Sequence, residues 1–416
     1  MTSTSQPGLN RRQLLASGLA VGAVSFTARP LFAQDGGTIK IGFMSPRTGP
    51  LAGFGVTDGY VLDQVRAALA GGLTIGGKTY AVEILDRDTQ SNPATASQLA
   101  KDLINNDGID MMLATSTPEV TNPVADACEA AGVPCLSTIC PWEAWYFGRG
   151  AKPGEPSPFK WGYHFSFGVD TFRDTYLSQW SLLETNKKVA VMYPNDADGN
   201  AIRAMLAPQL AAAGYTIVDP GPYETGTSDF STQIAMFREA GCEIFNGIPI
   251  PPDFAAFWQQ AAQQGLHKQF KIVQVAKTGL FPGDIEALGS LGPNIASADY
   301  WHREFPYTST ATGLTGAALA DGYEAASGMQ WTQQLGATMS VFDAAIATAL
   351  STLNVVTMVG KVDFTSGPVP NVSMTPIIGS QWIKSESGKW AVETVITENA
   401  TDPNVPVSHK LLPYNG

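Results

Sequence analysis

Short apolar segments alternate with stretches of helical periodicity along most of the chain. The first series of predicted strands is Thr38–Met44, Tyr80–Leu85, Ile109–Ala114 and Cys135–Ser137. Helical patterns separate them, one of which ends near Ala70 and another of which covers Asn92–Asn106. Strands that alternate with helices in this way are joined by right-handed βαβ crossovers. The pattern therefore predicts a parallel sheet with helices on both faces.

The same alternation restarts after residues 141–163, which are rich in Pro, Gly and aromatic residues and predict a long loop. The second series of predicted strands is Lys188–Tyr193, Tyr215–Val218, Glu243–Ile248 and Phe270–Val275. The predicted helices of this series are Thr171–Glu184, Asn200–Ala213, Phe230–Ala240 and Asp253–Gly265. Two such series predict an α/β protein of two doubly wound lobes with a ligand cleft between them.

The chain changes character after Pro293. We expect a strand at Ile295–Tyr300, helices at Thr315–Ala326 and Leu335–Leu353, and short strands at Lys361–Phe364, Ile377–Lys384 and Lys389–Ile396. The length of 416 residues is consistent with two lobes, since a single hydrophobic core seldom organises so long a chain. The formal net charge of −12 argues against a nucleic-acid partner, which needs clustered Lys and Arg.

The N-terminus carries an export signal. Arg11 and Arg12 resemble the twin-arginine motif, and an apolar run from Leu14 to Phe26 follows them. We expect a signal peptide at residues 1–33 and a periplasmic location. In an oxidising compartment Cys128 and Cys135 could form a disulfide, and buried free thiols are the open alternative.

Catalytic, cofactor and metal motifs do not occur in their required contexts. The chain has no nucleophile elbow, phosphate loop or dinucleotide fingerprint, and its four His show no metal-binding spacing. We therefore expect a binding protein that needs no cofactor or metal, with an exported enzyme as the rival class.

Hydroxyl-rich turns follow two neighbouring strands of the first series. Ser116 and Thr117 follow one strand and precede a helix, and Ser137 and Thr138 end the next strand. The carboxyl ends of parallel strands and the N-termini of helices converge at one edge of a sheet, where anions bind. The segment Ala114–Trp145 is therefore the predicted centre of a ligand site.

Several segments resemble one known family. They are IKIGFMSPRTGPLAGFG, YAVEILDRDTQSNPATASQLAKDLINNDGIDMMLA, PVADACEAAGVPCLS, VAVMYPNDADGNA and GTSDFSTQIAMFREAGCEIF. In order and spacing they resemble the type I periplasmic binding proteins of ABC importers, in particular the branched-chain amino-acid class. The resemblance extends over almost the whole mature chain.

The resemblance implies two lobes that the chain crosses three times, near Phe167, Ser297 and Val359. The N-terminal lobe would be residues 36–167 plus 298–358, and the C-terminal lobe residues 168–297 plus 359–416. It also implies hinge closure on a small-molecule ligand and docking of the closed form on membrane permease subunits. We expect the receptor to act as a monomer.

Ligand contacts can be carried over to matching positions of this chain. The resemblance places the ligand carboxylate at two turns of the first lobe, Thr115–Glu119 and Ser137–Cys140. The candidate ligand-binding residues are Ser116, Thr117, Glu119, Ser137, Thr138, Ile139, Trp142, Asp170, Tyr193, Asp198, Ile250 and Lys277.

Two departures from the family bear on the ligand. Lys277 stands where amino-acid binders carry an acidic residue for the ligand ammonium, although Asp170 could still meet an ammonium. The aromatic residues Trp142, Trp145 and Tyr146 would suit stacking on a flat ligand. These features favour an aromatic or hydrophobic organic acid, with branched-chain-type amino acids second and an amide- or urea-type sensor as the alternative.

Overall fold

A computed structural model of the protein describes residues 36–347 and 349–414. The strands are β1 (Thr38–Ser45), β2 (Leu73–Ile75), β3 (Lys78–Asp88), β4 (Met111–Ser116), β5 (Cys135–Ile139), β6 (Gly162–Ser166), β7 (Lys188–Met192), β8 (Thr216–Val218), β9 (Ile244–Gly247), β10 (Ile272–Val275), β11 (Ala296–Asp299), β12 (Asn354–Thr357), β13 (Gly360–Asp363), β14 (Val372–Met374), β15 (Ile378–Lys384) and β16 (Val392–Glu398). The helices are α1 (Asp58–Ala68), α2 (Pro93–Asp102), α3 (Pro118–Ala131), α4 (Trp142–Tyr146), α5 (Val169–Trp180), α6 (Ala197–Ala212), α7 (Ser231–Ala240), α8 (Pro251–Gln263), α9 (Pro282–Ala287), α10 (Gly316–Ser327) and α11 (Gln334–Ala347).

Two seven-stranded sheets form the frames of two lobes. The first has the order β14-β6-β5-β4-β1-β3-β2, and all its neighbours are parallel except β2 and β3. The second has the order β16-β15-β11-β10-β9-β7-β8 and is parallel from β8 to β11, with β15 and β16 added antiparallel. The prediction of two doubly wound α/β lobes is confirmed.

The first lobe shows how its sequence positions the candidate site. Strand β4 is apolar and almost wholly buried, and it ends at Ser116. Helix α3 begins two residues later at Pro118, which suits the first turn because that turn needs no backbone N–H there. Gly132 ends the helix with a φ of 73°, which glycine adopts without strain, and the chain returns through β5. The hydroxyl-rich turns after β4 and β5 therefore lie side by side.

The chain passes between the sheets at three places. It leaves the first sheet after Ser166 for α5, and it leaves the second sheet after Asp299 for α10 and α11. The third crossing was expected near Val359, but that residue lies between β12 and β13, which form a separate two-stranded ribbon. Because β14 pairs with β6 and β15 pairs with β11, the third crossing lies between Met374 and Ile378.

Two other expectations differ from the structure. Residues 141–163 were predicted to form a loop, but they contain the short helix α4 and the start of β6. The sequence pattern did not reveal α4 or β6, because aromatic residues occur in helices and in strands. The helix predicted at Leu335–Leu353 is shorter, since α11 ends at Ala347.

The predicted signal peptide lies outside the described residues. Within the described part of the chain, none of the helices has both the length and the apolar character that a membrane span requires.

Candidate ligand-binding site

A cavity between the two lobes brings the ends of both sheets together. Helices α3 and α4 of the first lobe contact α6 of the second. The cavity measures about 40 Å³, which is less than a small organic ligand fills, so the lobes are close to each other. The side chains around it are Phe54, Thr117, Ile139, Cys140, Pro141, Phe167, Phe172, Asp198, Ile202, Ile248, Ala276, Lys277, Leu280, Ala298 and Tyr300. Most of them are apolar; Thr117 and Lys277 lie just after strands, and Asp198 lies in the first turn of α6.

The first lobe contributes hydroxyl groups at the start of α3. Ser116 is fully buried, Thr117 is 2% exposed, and the side-chain oxygens of both have no hydrogen-bond partner in the described part of the chain. A buried hydroxyl without a partner is costly, and it is a ready donor for a ligand oxygen. The N-terminal N–H groups of α3 add a favourable field for negative charge.

The end of β5 is strained where it borders the cavity. Ile139 has a φ of 90°, a conformation that a β-branched side chain rarely adopts, and its side chain lines the cavity. Such strain costs about 1–3 kcal/mol and is found mainly at functional sites. Its position between Thr138 and Cys140 supports a role for this turn in ligand binding.

The second lobe contributes a buried ion pair. Lys277 is 7% exposed, and its Nζ lies 2.9 Å from Asp198 Oδ2 and 3.2 Å from Asp196 Oδ2. Asp196 also caps α6, because its carboxylate accepts a hydrogen bond from Gly199 N at 2.6 Å. Lys277 thus points into the cleft, but two carboxylates of its own lobe already neutralise it.

A third carboxylate approaches this pair from the first lobe. Glu119 lies in the first turn of α3, and it is close enough to influence the pKa of both Lys277 and Asp198. Burial alone would lower the pKa of Lys277, but Asp198, Asp196 and Glu119 together raise it well above its ordinary value. Burial raises the pKa of Asp198 to about 7, with Glu119 and Asp196 adding to the rise and Lys277 opposing it.

Two carboxylate oxygens of this cluster lack a hydrogen-bond partner among residues 36–347 and 349–414. They are Glu119 Oε1 from the first lobe and Asp198 Oδ1 from the second, and both are buried. With all groups ionised, three carboxylates face one ammonium. The cluster then has two surplus negative charges, or one when Asp198 is protonated, and two free acceptors, which a ligand cation or hydroxyl can satisfy.

The comparisons with known proteins agree with this architecture. A family model described as "Periplasmic binding protein" matches residues 38–365. The chain belongs to this periplasmic binding protein family. The resemblance found in its sequence is confirmed, and the family implies a periplasmic location and a binding function.

Individual relatives of the binding protein are distant. The Leu/Ile/Val-binding protein homolog 8 of Brucella suis is 25% identical over 335 residues, which are 77% of this chain and 76% of the relative. A leucine-binding protein of Thermotoga maritima superposes with a TM-score of 0.67 at 15% identity and covers 88% of this chain and 99% of its own. A solute-binding protein of Rhodopseudomonas palustris BisB5 has a TM-score of 0.66 at 17% identity, with coverages of 88% and 99%.

Several predicted site residues of the binding protein lie away from the cavity. Ser137 is turned toward the core, where its hydroxyl lies 2.9 Å from His164 Nδ1. Asp170 is 59% exposed and pairs with Arg173 at 2.9 Å, and it does not border the cavity, so its contact with a ligand ammonium stays a prediction. Tyr193 is fully buried and donates to Asn246 Oδ1 at 2.7 Å. Ile250 precedes α8 and belongs to the hydrophobic core, whereas its neighbour Ile248 borders the cavity.

The aromatic residues after β5 pack against each other. The Trp142 ring lies 5.7 Å from Phe147, and Trp145 stacks on His164 at 5.0 Å. The Arg149 guanidinium lies 4.5 Å from the centre of the Trp145 ring. Trp142, Trp145 and Tyr146 do not border the cavity, so the structure gives no support to ligand stacking on them.

The aromatic walls of the cavity come from residues that the sequence analysis did not select. They are Phe54, Phe167, Phe172 and Tyr300. Phe167 and Tyr300 stack with ring centres 5.7 Å apart, and each belongs to a segment that crosses between the lobes. The signal that could have identified Phe167, Phe172 and Tyr300 is their position beside the predicted crossings near Phe167 and Ser297, whereas Phe54 lies beside none of them.

Metal binding finds no geometric support here. Among the described residues, no three His, Cys, Asp or Glu side chains lie close enough together to hold a metal ion.

Proposed function

We propose that this protein is the substrate-binding receptor of an ABC importer and that its lobes close on a small ligand with a carboxylate, an ammonium and an apolar body. One observation carries the proposal. The cavity between the lobes has apolar walls and is lined by Thr117 and Asp198, each with a side-chain oxygen that has no partner among the described residues. The unpartnered oxygens of Ser116 and Glu119 belong to residues on either side of Thr117 and do not line the cavity. We expect one chain, which supplies both lobes, to act as a monomer.

The ligand carboxylate is assigned to the start of α3. The hydroxyls of Ser116 and Thr117 have no other partner within the described part of the chain, and the backbone N–H groups of this helix end favour a negative charge. Each charge-assisted hydrogen bond of this kind contributes roughly 1.5–3 kcal/mol.

The ligand ammonium is assigned to Glu119 and Asp198. An anion without an ammonium would meet the surplus negative charge of this cluster and would be repelled. This reverses the order expected from the sequence, where Lys277 favoured an organic acid. The reason for the reversal is the pairing of Lys277 with Asp196 and Asp198.

The apolar body of the ligand would contact Phe54, Phe172 and Tyr300. This fits a branched-chain or aromatic amino acid, and a structurally similar protein of Streptococcus pneumoniae was solved in complex with isoleucine. A hydroxylated aromatic acid is the second candidate. The similar protein of R. palustris BisB5 was solved with 3,4-dihydroxybenzoic acid, and a phenolic hydroxyl could donate to Asp198 Oδ1.

Matched ligand pairs test the assignment in calorimetric titrations and thermal-shift assays. Leucine would be compared with 4-methylpentanoate, which lacks the ammonium, and with 3-methylbutylamine, which lacks the carboxylate. Phenylalanine and 3-phenylpropanoate form a second set, and 4-hydroxybenzoate and benzoate a third. We expect an amino acid to bind and each truncated analogue to lose at least tenfold in affinity, about 1.4 kcal/mol.

Two outcomes would contradict the ranking. Equal binding of leucine and 4-methylpentanoate would remove the ammonium from the proposal. Binding of 4-hydroxybenzoate alone would favour the aromatic acid and assign Asp198 to the phenol. Binding of amides or urea, with none of the carboxylates, would contradict the proposed ligand class as a whole.

A further inference from the structure

Two cysteines of the first lobe are adjacent in the folded chain. Cys128 lies in the last turn of α3, and Cys135 is the first residue of β5. Between them Gly132 reverses the chain direction, and Val133 N donates to Cys128 O at 3.0 Å. The turn thus brings the start of the strand beneath the end of the helix. Both side chains are fully buried.

The other two cysteines have different surroundings. Cys140 Sγ lies 3.8 Å from His164 Nε2, beside the ligand cavity. Cys242 belongs to the hydrophobic core of the second lobe. All four residues are free thiols in the structure, and Cys128 and Cys135 are the two that the turn at Gly132 brings together.

We propose that Cys128 and Cys135 form a disulfide when the chain folds in an oxidising environment. The periplasm, which the family implies as the location, maintains such conditions. The bond would fix the C-terminal end of α3 to β5. The N-terminal end of the same helix carries Thr117 and Glu119, so the bond would hold the frame of the ligand site and not contact the ligand.

The oxidation is a thiol–disulfide exchange with a disulfide-containing oxidant such as glutathione disulfide or a thiol-oxidising protein. One cysteine thiolate attacks the oxidant and forms a mixed disulfide, and the oxidant releases a thiolate that takes up a proton. The second cysteine then attacks the mixed disulfide, which forms the Cys128–Cys135 bond and releases the other half of the oxidant as a thiol. Two protons and two electrons pass to the oxidant.

Because both thiols are buried, the rate at which they are oxidised depends on whether the oxidant is present before or after the chain folds. The hydrogen bond from Cys135 raises the pKa of the Cys128 thiol, and burial adds to the rise, so the folded dithiol reacts slowly. An oxidant reaches the two thiols most rapidly before α3 packs on β5. A chain that folds reduced is therefore oxidised slowly, and a chain that folds with an oxidant is oxidised quickly.

Refolding of the full chain in two redox buffers tests the proposal. The denatured, reduced protein is refolded with dithiothreitol or with a glutathione redox buffer, denatured again, alkylated and weighed by mass spectrometry. Alkylation is expected at four cysteines after reducing refolding and at two, Cys140 and Cys242, after oxidising refolding. Peptide mapping should then find Cys128 linked to Cys135.

Cysteine variants serve as controls for the number of alkylated cysteines. Cys242→Ser should retain the disulfide and lose one of the two remaining labels, whereas Cys128→Ser should leave three labelled cysteines under both conditions. If Cys128→Ser does not fold, Cys135→Ala provides the same count. Dithiothreitol should lower the melting temperature of the oxidised protein and leave that of the cysteine variant unchanged. Four labelled cysteines after oxidising refolding, or a bond to Cys140 or Cys242, would overturn the proposal.

Discussion

Phe54 of the first lobe meets Phe281 of the second lobe in an edge-to-face contact, with ring centres 5.1 Å apart and planes at 86°. Phe54 borders the inner cavity that contains Lys277, and Phe281 borders an outer cavity of about 490 Å³. The outer cavity also lies between the lobes, since Arg47 and Trp390 line it from opposite sides. The two rings therefore separate the proposed ligand site from the wider part of the cleft.

Truncation of this contact should accelerate ligand release. An edge-to-face aromatic pair contributes about 0.5–1.5 kcal/mol beyond its buried area, so Phe281→Ala should weaken binding by roughly 3–10-fold. The loss should appear mainly in the dissociation rate, because the contact exists only between closed lobes. Stopped-flow displacement of a bound ligand measures that rate. The exposed Trp161→Ala is the control, and an unchanged dissociation rate in Phe281→Ala would show that the contact does not retain the ligand.

The hydroxyl of Ser116 offers a test that separates binding from folding. It is buried without a partner, so Ser116→Ala should leave the free energy of unfolding nearly unchanged or raise it slightly. If this hydroxyl binds the ligand carboxylate, affinity should fall by about tenfold, or 1.4 kcal/mol. Calorimetric titration and chemical denaturation measure the two quantities.

Ser137→Ala is the matched control for Ser116→Ala. Its hydroxyl bonds to His164 Nδ1 away from the cavity, so the substitution should cost about 1 kcal/mol of stability and leave affinity unchanged. The opposite pattern, with Ser137→Ala losing affinity and Ser116→Ala retaining it, would move the carboxylate to the second turn.

Lys277 should matter more for the stability of the second lobe than for ligand charge. Lys277→Met leaves Asp196 and Asp198 buried together without their cation, and breaking a buried pair in this way costs about 3–5 kcal/mol. Thermal unfolding should therefore show a large loss at pH 8. The loss should be smaller at pH 5, where Asp198, whose pKa is raised to about 7 by burial, is protonated and neutral.

The double variant Lys277→Met with Asp198→Asn should recover most of that stability, because it removes one of the two unpaired charges. Lys271→Met is the control, since Lys271 forms a half-exposed pair with Glu243 in the same lobe. A loss in Lys277→Met no larger than that in Lys271→Met would show that the buried pair is energetically unimportant.

The fold and one side of the site follow from local patterns. Buried β4, the cap at Thr117 and the glycine after α3 are encoded within a few residues of each other, and they place the hydroxyls of the first lobe. The partners of a side chain are not encoded locally. Lys277 is separated by about 80 residues from the two aspartates that neutralise it, and Asp170 near a crossing turns to Arg173 on its own helix. The charge of Lys277 or Asp170 alone therefore could not show whether the side chain contacts the ligand.

The apolar residues that line the cavity also could not be identified from local sequence patterns. The sequence draws attention to the aromatic cluster after β5, which packs on itself and on His164. Phe54 and Tyr300 border the cavity instead, and they are almost 250 positions apart in the chain. The three crossings between the lobes bring Phe54 and Tyr300 together in the folded chain. The third crossing was predicted near Val359, but it lies between Met374 and Ile378.

Glu143 makes the stability of the hinge region dependent on pH. It is 3% exposed, its Oε1 accepts a hydrogen bond from Val169 N at 2.9 Å at the start of α5, and its Oε2 has no partner among the described residues. Burial raises the pKa of Glu143 from 4.5 to about 7, and nearby Asp170 adds to the rise. The folded state therefore binds a proton that the unfolded state has released between these two pH values.

The sign of the effect follows from that difference in proton binding. The stabilisation is fully present below pH 4.5 and is lost as pH rises through 7, with a total of about 3 kcal/mol. Glu143→Gln keeps an acceptor for Val169 N and carries no charge, so its stability should decline less between pH 5 and 8. Urea denaturation across that range measures the difference. The exposed Glu155→Gln is the control, and parallel stability curves for Glu143→Gln and the unmodified protein would show that Glu143 does not titrate in this window.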